Sequence, residues 1–153
     1  MSATAGPVTA ALVSVFTAGL DASAVEVFPA PAAATRTAPS VLLVGSDGDS
    51  AEQFDASYEP ADLGPDWQQE RVDVPCLIQS HSGDSVSAAR DLAVAALAAC
   101  RSLLSADPTL GGAIPEPVLL HPHISRVTAR AEQGQGVRYD ALFTVTYITV
   151  LTS

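Results

Sequence analysis

The last third of the chain holds two long extended runs, Val118 to Glu132 and Val137 to Leu151, with only Gln133-Gly134-Gln135-Gly136 between them. Runs of this length joined by a glycine-containing turn have few ways to satisfy their backbone groups other than by pairing with each other as an antiparallel hairpin. In the second run Val137, Tyr139, Ala141, Phe143, Val145 and Tyr147 share one face, and Thr144 and Thr146 lie opposite. That period of two is the mark of a strand with one face in a core. Trp67 to Gln79 repeats it, with Val72, Val74, Cys76 and Ile78 against Arg71, Asp73 and Pro75. Because Pro75 cannot donate to a ladder, this strand is expected at a sheet edge or at a bulge.

Helical spacing appears twice. Gly6-Pro7 precedes Val8, Ala11, Leu12, Val15 and Phe16, an amphipathic pattern with proline in its first turn and an end near Gly19 to Asp21. Ser82-Gly83-Asp84-Ser85 offers capping oxygens ahead of Val86, Ala89, Ala93, Leu97, Cys100 and Leu104, one face of a helix of about five to six turns. Its small alanines allow close packing on a sheet. Ala24 to Phe28 and Ser40 to Gly45 read as short strands, separated by the proline- and alanine-rich loop 29–38. Residues 46–66 are acidic and punctuated by Gly48, Pro60, Gly64 and Pro65, and are expected to be a solvated loop excursion. The order α-β-β-β-α-β-β implies one α+β domain over residues 1–153. Its expected frame is a mainly antiparallel sheet of four to five strands with two helices packed on one face.

Composition narrows the function classes. The 153 residues are 48 % hydrophobic, yet no apolar run reaches the roughly 20 residues needed to cross a bilayer. No basic region precedes the first apolar run, so it does not read as a signal peptide. The formal net charge is −10 and lysine is absent, all seven cations being arginine. Affinity for nucleic acid comes mainly from cations that displace condensed counterions, so specific nucleic-acid binding is not expected. Cys76 and Cys100 belong to no Cys-x-x-Cys pair and occupy apolar positions of their segments, which favours buried free thiols.

Several stretches invite a chemical reading, and each has a plainer one. Asp47 and Asp49 alternate like the start of a calcium loop, but Ala51, Glu52 and Tyr58 stand where that loop needs an oxygen ligand, glycine and glutamate. His81 and Ser82 sit between strand and helix, where a nucleophile elbow would lie, but Ser80 and Asp84 replace the glycines that such a turn wants. His121 and His123 would share one face of a strand, without a carboxylate or cysteine at ligand spacing; with Pro122 between them they suit a surface or interface pair on an edge strand. The segment DPTLGG, residues 107–112, lacks the lysine of a phosphate loop and reads as a helix stop followed by a glycine turn. No catalytic, cofactor-binding or metal-binding residues are assigned, and no cofactor is expected.

The order and spacing of the pieces resemble the tail terminator (tail completion) proteins of long-tailed bacteriophages, in particular the small versions from phages of actinobacteria. The pieces are an opening helix, VEVFPAPAA followed by SVLLVGSDGD, the strand QQERVDVPCLIQS, the helix SVSAARDLAVAALAACRSLL, then DPTLGGAI and a closing strand pair with FTVTYITV. The resemblance implies a structural virion protein without enzymatic activity, at the head-proximal end of the tail. It implies a homo-hexameric ring that caps the last ring of the tail tube, stops its growth and joins the head connector, with genomic DNA passing through the lumen. A neck or head-closure adaptor, or another minor tail protein, remains the alternative within that setting. A small-ligand-binding or enzymatic α+β domain is the alternative outside it, with His81, Ser82, His121 and His123 as its first residues to test.

Overall fold

In a computed structural model, which describes residues 4–29, 38–48, 53–62, 64, 66–83, 85–134 and 136–152, two helices pack on a six-stranded sheet. In chain order the elements are α1 (Ala5–Gly19), β1 (Val25–Pro29), β2 (Ser40–Val44), β3 (Asp55–Pro60), β4 (Trp67–Ser82), α2 (Val86–Ala106), β5 (Val118–Gly134) and β6 (Gly136–Thr152). The strand path is β1-β2-β4-β6-β5, with β3 paired to β4 off that path. The pairings are antiparallel except β1 with β2, which run parallel. The α+β class and the placement of both helices on one face hold as expected.

Two expectations are corrected. The acidic excursion 46–66 is not loop throughout: Asp55–Pro60 forms β3, in register with Asp73 back to Gln68 of β4. Its composition disfavours a strand, and what makes it one is tertiary. β2 covers β4 only from Cys76 to Ser80, leaving the ladder groups of the first half of β4 to be satisfied by a second partner. Pro75 lies neither at an edge nor at a bulge, because β4 is central and Pro75 pairs Thr144 of β6. Its carbonyl accepts from Gly45 N (2.8 Å) and Ser46 N (3.0 Å) on the β2/β3 side. A strand residue's N and O point to the same side, so the missing N–H faces the gap where β2 has ended and β3 has not begun.

The core lies between the helices and one sheet face. Val8, Leu12 and Phe16 of α1 and Ala93, Ala96, Cys100 and Leu104 of α2 are buried there. The sheet meets them with Val72, Val74, Cys76 and Ile78 and with Ala141, Phe143, Val145 and Tyr147. The helices approach closely at Gly19, where an added Cβ would lie 2.3 Å from Leu103 Cδ2. Ser85 caps α2 by accepting from Ala88 N at 3.2 Å, and the helix ends where Asp107-Pro108 departs from helical geometry. The DPTLGG turn follows with Leu110, Gly111 and Gly112 at φ of 53°, 68° and 89°. Asp107 Oδ1 accepts from Gly111 N at 3.0 Å, and Leu110 folds back into the core. The expected loop 29–38 lies outside the described residues except at Pro29, which ends β1, and Ala38, and Gln135 lies outside them as well. Among those described, no helix is long and apolar enough to cross a membrane.

An acidic side chain is sealed inside this core. Glu70 is fully buried, on the same face of β4 as Val72 and Val74. Its Oε1 accepts from Thr4 N (3.2 Å) and Thr4 Oγ1 (2.5 Å), and its Oε2 accepts from Tyr58 OH (2.7 Å). Since Thr4 has given its one hydroxyl proton to Glu70, Tyr147 OH donates to Thr4 Oγ1 at 2.7 Å. The cluster therefore ties the start of α1 to β3, β4 and β6, and places an acceptor where the first turn of a helix has unpaired N–H groups. Glu70→Ala leaves Thr4 N, the Thr4 hydroxyl and the Tyr58 hydroxyl without their acceptor, and is expected to lower unfolding free energy in urea by about 2–4 kcal/mol. An unchanged midpoint would show that the cluster contributes nothing to stability.

Candidate interaction surface

The sheet face away from the helices carries a narrow apolar ridge and a set of ion pairs. Val41, Leu43 and Leu77 are buried in it, with Phe28 and Leu142 packed alongside. Gly48 at φ 98° brings the 45–48 loop onto this ridge, with an added Cβ only 2.7 Å from Leu77 Cδ2.

Two open recesses flank the ridge. One, of about 490 Å³, is lined by Arg71, Asp73, Pro75, Ser125, Arg126 and Thr144, with Gln53 to Asp55 at its rim. A polar chain crosses its floor over three strands. Arg71 Nε lies 3.6 Å from Asp73 Oδ2, Thr146 Oγ1 donates to Asp73 Oδ1 at 2.5 Å, and Ser125 Oγ meets Thr146 Oγ1 at 2.6 Å. The other recess, of about 430 Å³, is lined by Asp47, Gln79, Thr128, Arg130, Arg138 and Asp140 beside Leu77 and Leu142. Here Arg138 Nη2 donates to Asp140 Oδ2 at 3.1 Å, while Nε lies 2.9 Å from Oδ1 as an ion contact too poorly aligned to count as a hydrogen bond. Both recesses are shallow and their charges are largely matched in place. That suits recognition of a polar protein surface better than capture of a small charged ligand.

The residues singled out for chemistry do not converge. His81 pairs Arg138 across β4 and β6, whereas His123 pairs Thr146, eight residues further along β6. That is roughly 26 Å of strand. Ser82 closes β4 opposite Val137, with Ser85 and not Ser82 capping the helix. His121 is exposed on β5, and its carbonyl contacts His123 Nδ1 at 3.0 Å. Among the described residues no three His, Cys, Asp or Glu side chains gather as metal ligands, and Asp49 lies outside them. The Arg71/Asp73 and Arg138/Asp140 pairs were legible as charges two apart on a strand, a spacing that shares a face. Glu70 was legible as a carboxyl in phase with Val72, Val74 and Cys76.

Cys76 and Cys100 are free and buried, and burial pushes both thiols from 9.0 up to about 12. The folded chain is expected to resist a water-soluble thiol reagent at pH 8 and to react at both cysteines once unfolded. The unfolded chain ionises them from about pH 9 while the folded chain holds them neutral. Stability from this source is therefore full below pH 9 and falls as pH rises toward 12, a slope measurable by urea titration against pH. Rapid labelling of the folded chain would contradict the burial. No family model matches the chain, and no curated protein searched matches it either.

Proposed function

We propose that the chain is a structural virion protein that assembles as a ring on the end of a phage tail tube, stops tube growth and forms the joint to the head connector. The observation that carries this reading is the one-sided construction of the sheet. Both helices sit on one face, leaving the opposite face and its long lateral borders uncovered, with ion pairs and apolar side chains where neighbours would seat. The reading draws further support from the order of elements, from an opening helix to a closing pair of 17-residue strands. The acidic balance also fits a ring around passing DNA, since a net charge of −10 without lysine gives phosphates little to hold. The partners in this reading are further copies of the chain, the tail-tube protein and the connector.

Native mass spectrometry, together with negative-stain imaging of the purified chain mixed with tail tubes from the virus that encodes it, tests the proposal. The expected result is a ring that binds one end of each tube. A monomer that leaves tubes unchanged would sink it, and attachment to tail-less heads instead would shift the role to a neck adaptor.

A further inference from the structure

We infer that copies of this chain join head to tail, the β3 border of one against the β5 border of the next. The two borders lie on opposite sides of the sheet, separated by β4 and β6, and each strand pairs on one side only. Strand spacing puts them about 14 Å apart in one copy, so one copy cannot join its own two borders. Of the large apolar side chains exposed among the described residues, all but Val94 stand on these borders: Phe54 and Tyr58 on one, and Leu119, Leu120 and Val127 on the other. Exposed side chains of this size concentrated on two borders mark a contact surface.

The charges are complementary. The segment from Asp55 to Asp66 carries Asp55, Glu59, Asp62 and Asp66 and no cation. β5 carries Arg126 and Arg130 with His121 and His123, and one acid, Glu132, at its far end beside the turn. Like borders would repel or gain nothing by meeting, while unlike borders attract, which selects a heterologous contact over a two-fold one. The sheet register also aligns the apolar parts. Tyr58 pairs Glu70, Glu70 pairs Thr149 and Thr149 pairs Val118, while Ser57 is level with Leu120 in the same way, so Tyr58 stands level with the Val118–Leu120 end of the opposite border. Pro122 lacks a ladder donor and β5 has register shifts near its start, so the contact is made by side chains and not by one unbroken ladder. This deepens the ring reading, on which it rests only for closure: a head-to-tail contact closes into a ring when its rotation allows.

The test uses two variants of the full chain. Leu120→Arg with Arg126→Glu spoils the β5 border, and Asp55→Arg with Glu59→Arg spoils the β3 border. All four positions are exposed, and a circular-dichroism melt verifies folding; Leu119→Arg replaces the first variant should it fail to fold. Native mass spectrometry is expected to give multimers for the unaltered chain and self-association weakened roughly a hundredfold or more for each variant alone. Mixing the two variants is expected to restore association, because the intact β3 border of the first meets the intact β5 border of the second. A monomeric unaltered chain, variants that assemble as it does, or dimers of each variant with itself would overturn the inference. Tube capping by the unaltered chain is scored in parallel. Assemblies that split as expected but leave tubes uncapped overturn the capping role alone, whereas variants that still assemble and cap overturn the contact alone.

Discussion

The fold depends on β4 having more ladder than any single partner on its left side covers. Its 16 residues pair continuously with β6 on one side. On the other side β2 takes the C-terminal half and β3 the N-terminal half. The exchange of partners occurs at Val74 and Pro75, where a residue without an N–H meets a gap that offers no acceptor. Gly45 and Ser46, leaving β2, fill the remaining need by donating to the Pro75 carbonyl. One proline thus allows a long strand to organise two short ones, and the sheet gains a stepped border in place of a straight one.

Much of this was legible in the chain, wherever a single face decided the pattern. The alternation in Trp67 to Gln79 and in Val137 to Leu151, and the three- and four-residue spacing in both helices, arise because one side of each element meets the same core. What was not legible was settled by partners far away in sequence. DASYEP has no strong strand preference and becomes β3 because β4 has vacant ladder groups beside it. Pro75 suggests an edge when only its own strand is considered; knowing that β2 stops at Val44 changes the conclusion. For Glu70 the phase with Val72 shows the face it takes but not what satisfies it there. Its burial depends on Thr4 and Tyr58, one 66 residues and one 12 residues away. Of the interaction surface, the arginine–aspartate pairs were visible as local spacing, but the recesses they line need three strands side by side.

The placement of polar groups follows the same division. Inside, Glu70 has three donors and the two thiols are held neutral. Outside, the charges of the open face are paired locally, Arg71 with Asp73 and Arg138 with Asp140. Local pairing of this kind is worth little to stability where the arginines are half exposed. Its effect is to leave a face that is polar without a large field of one sign. The two borders differ, acids standing along β3 and arginines predominating along β5, so the sheet has a direction that its own fold does not require.

Tyr58 belongs to both worlds. Its ring stands on the exposed β3 border, and its hydroxyl ends on the buried carboxyl that holds Thr4 at the start of α1. A displacement of that ring is felt, through one carboxylate, by the residue that begins the first helix. The edge of the sheet and the beginning of the first helix thus hang on the two oxygens of one side chain.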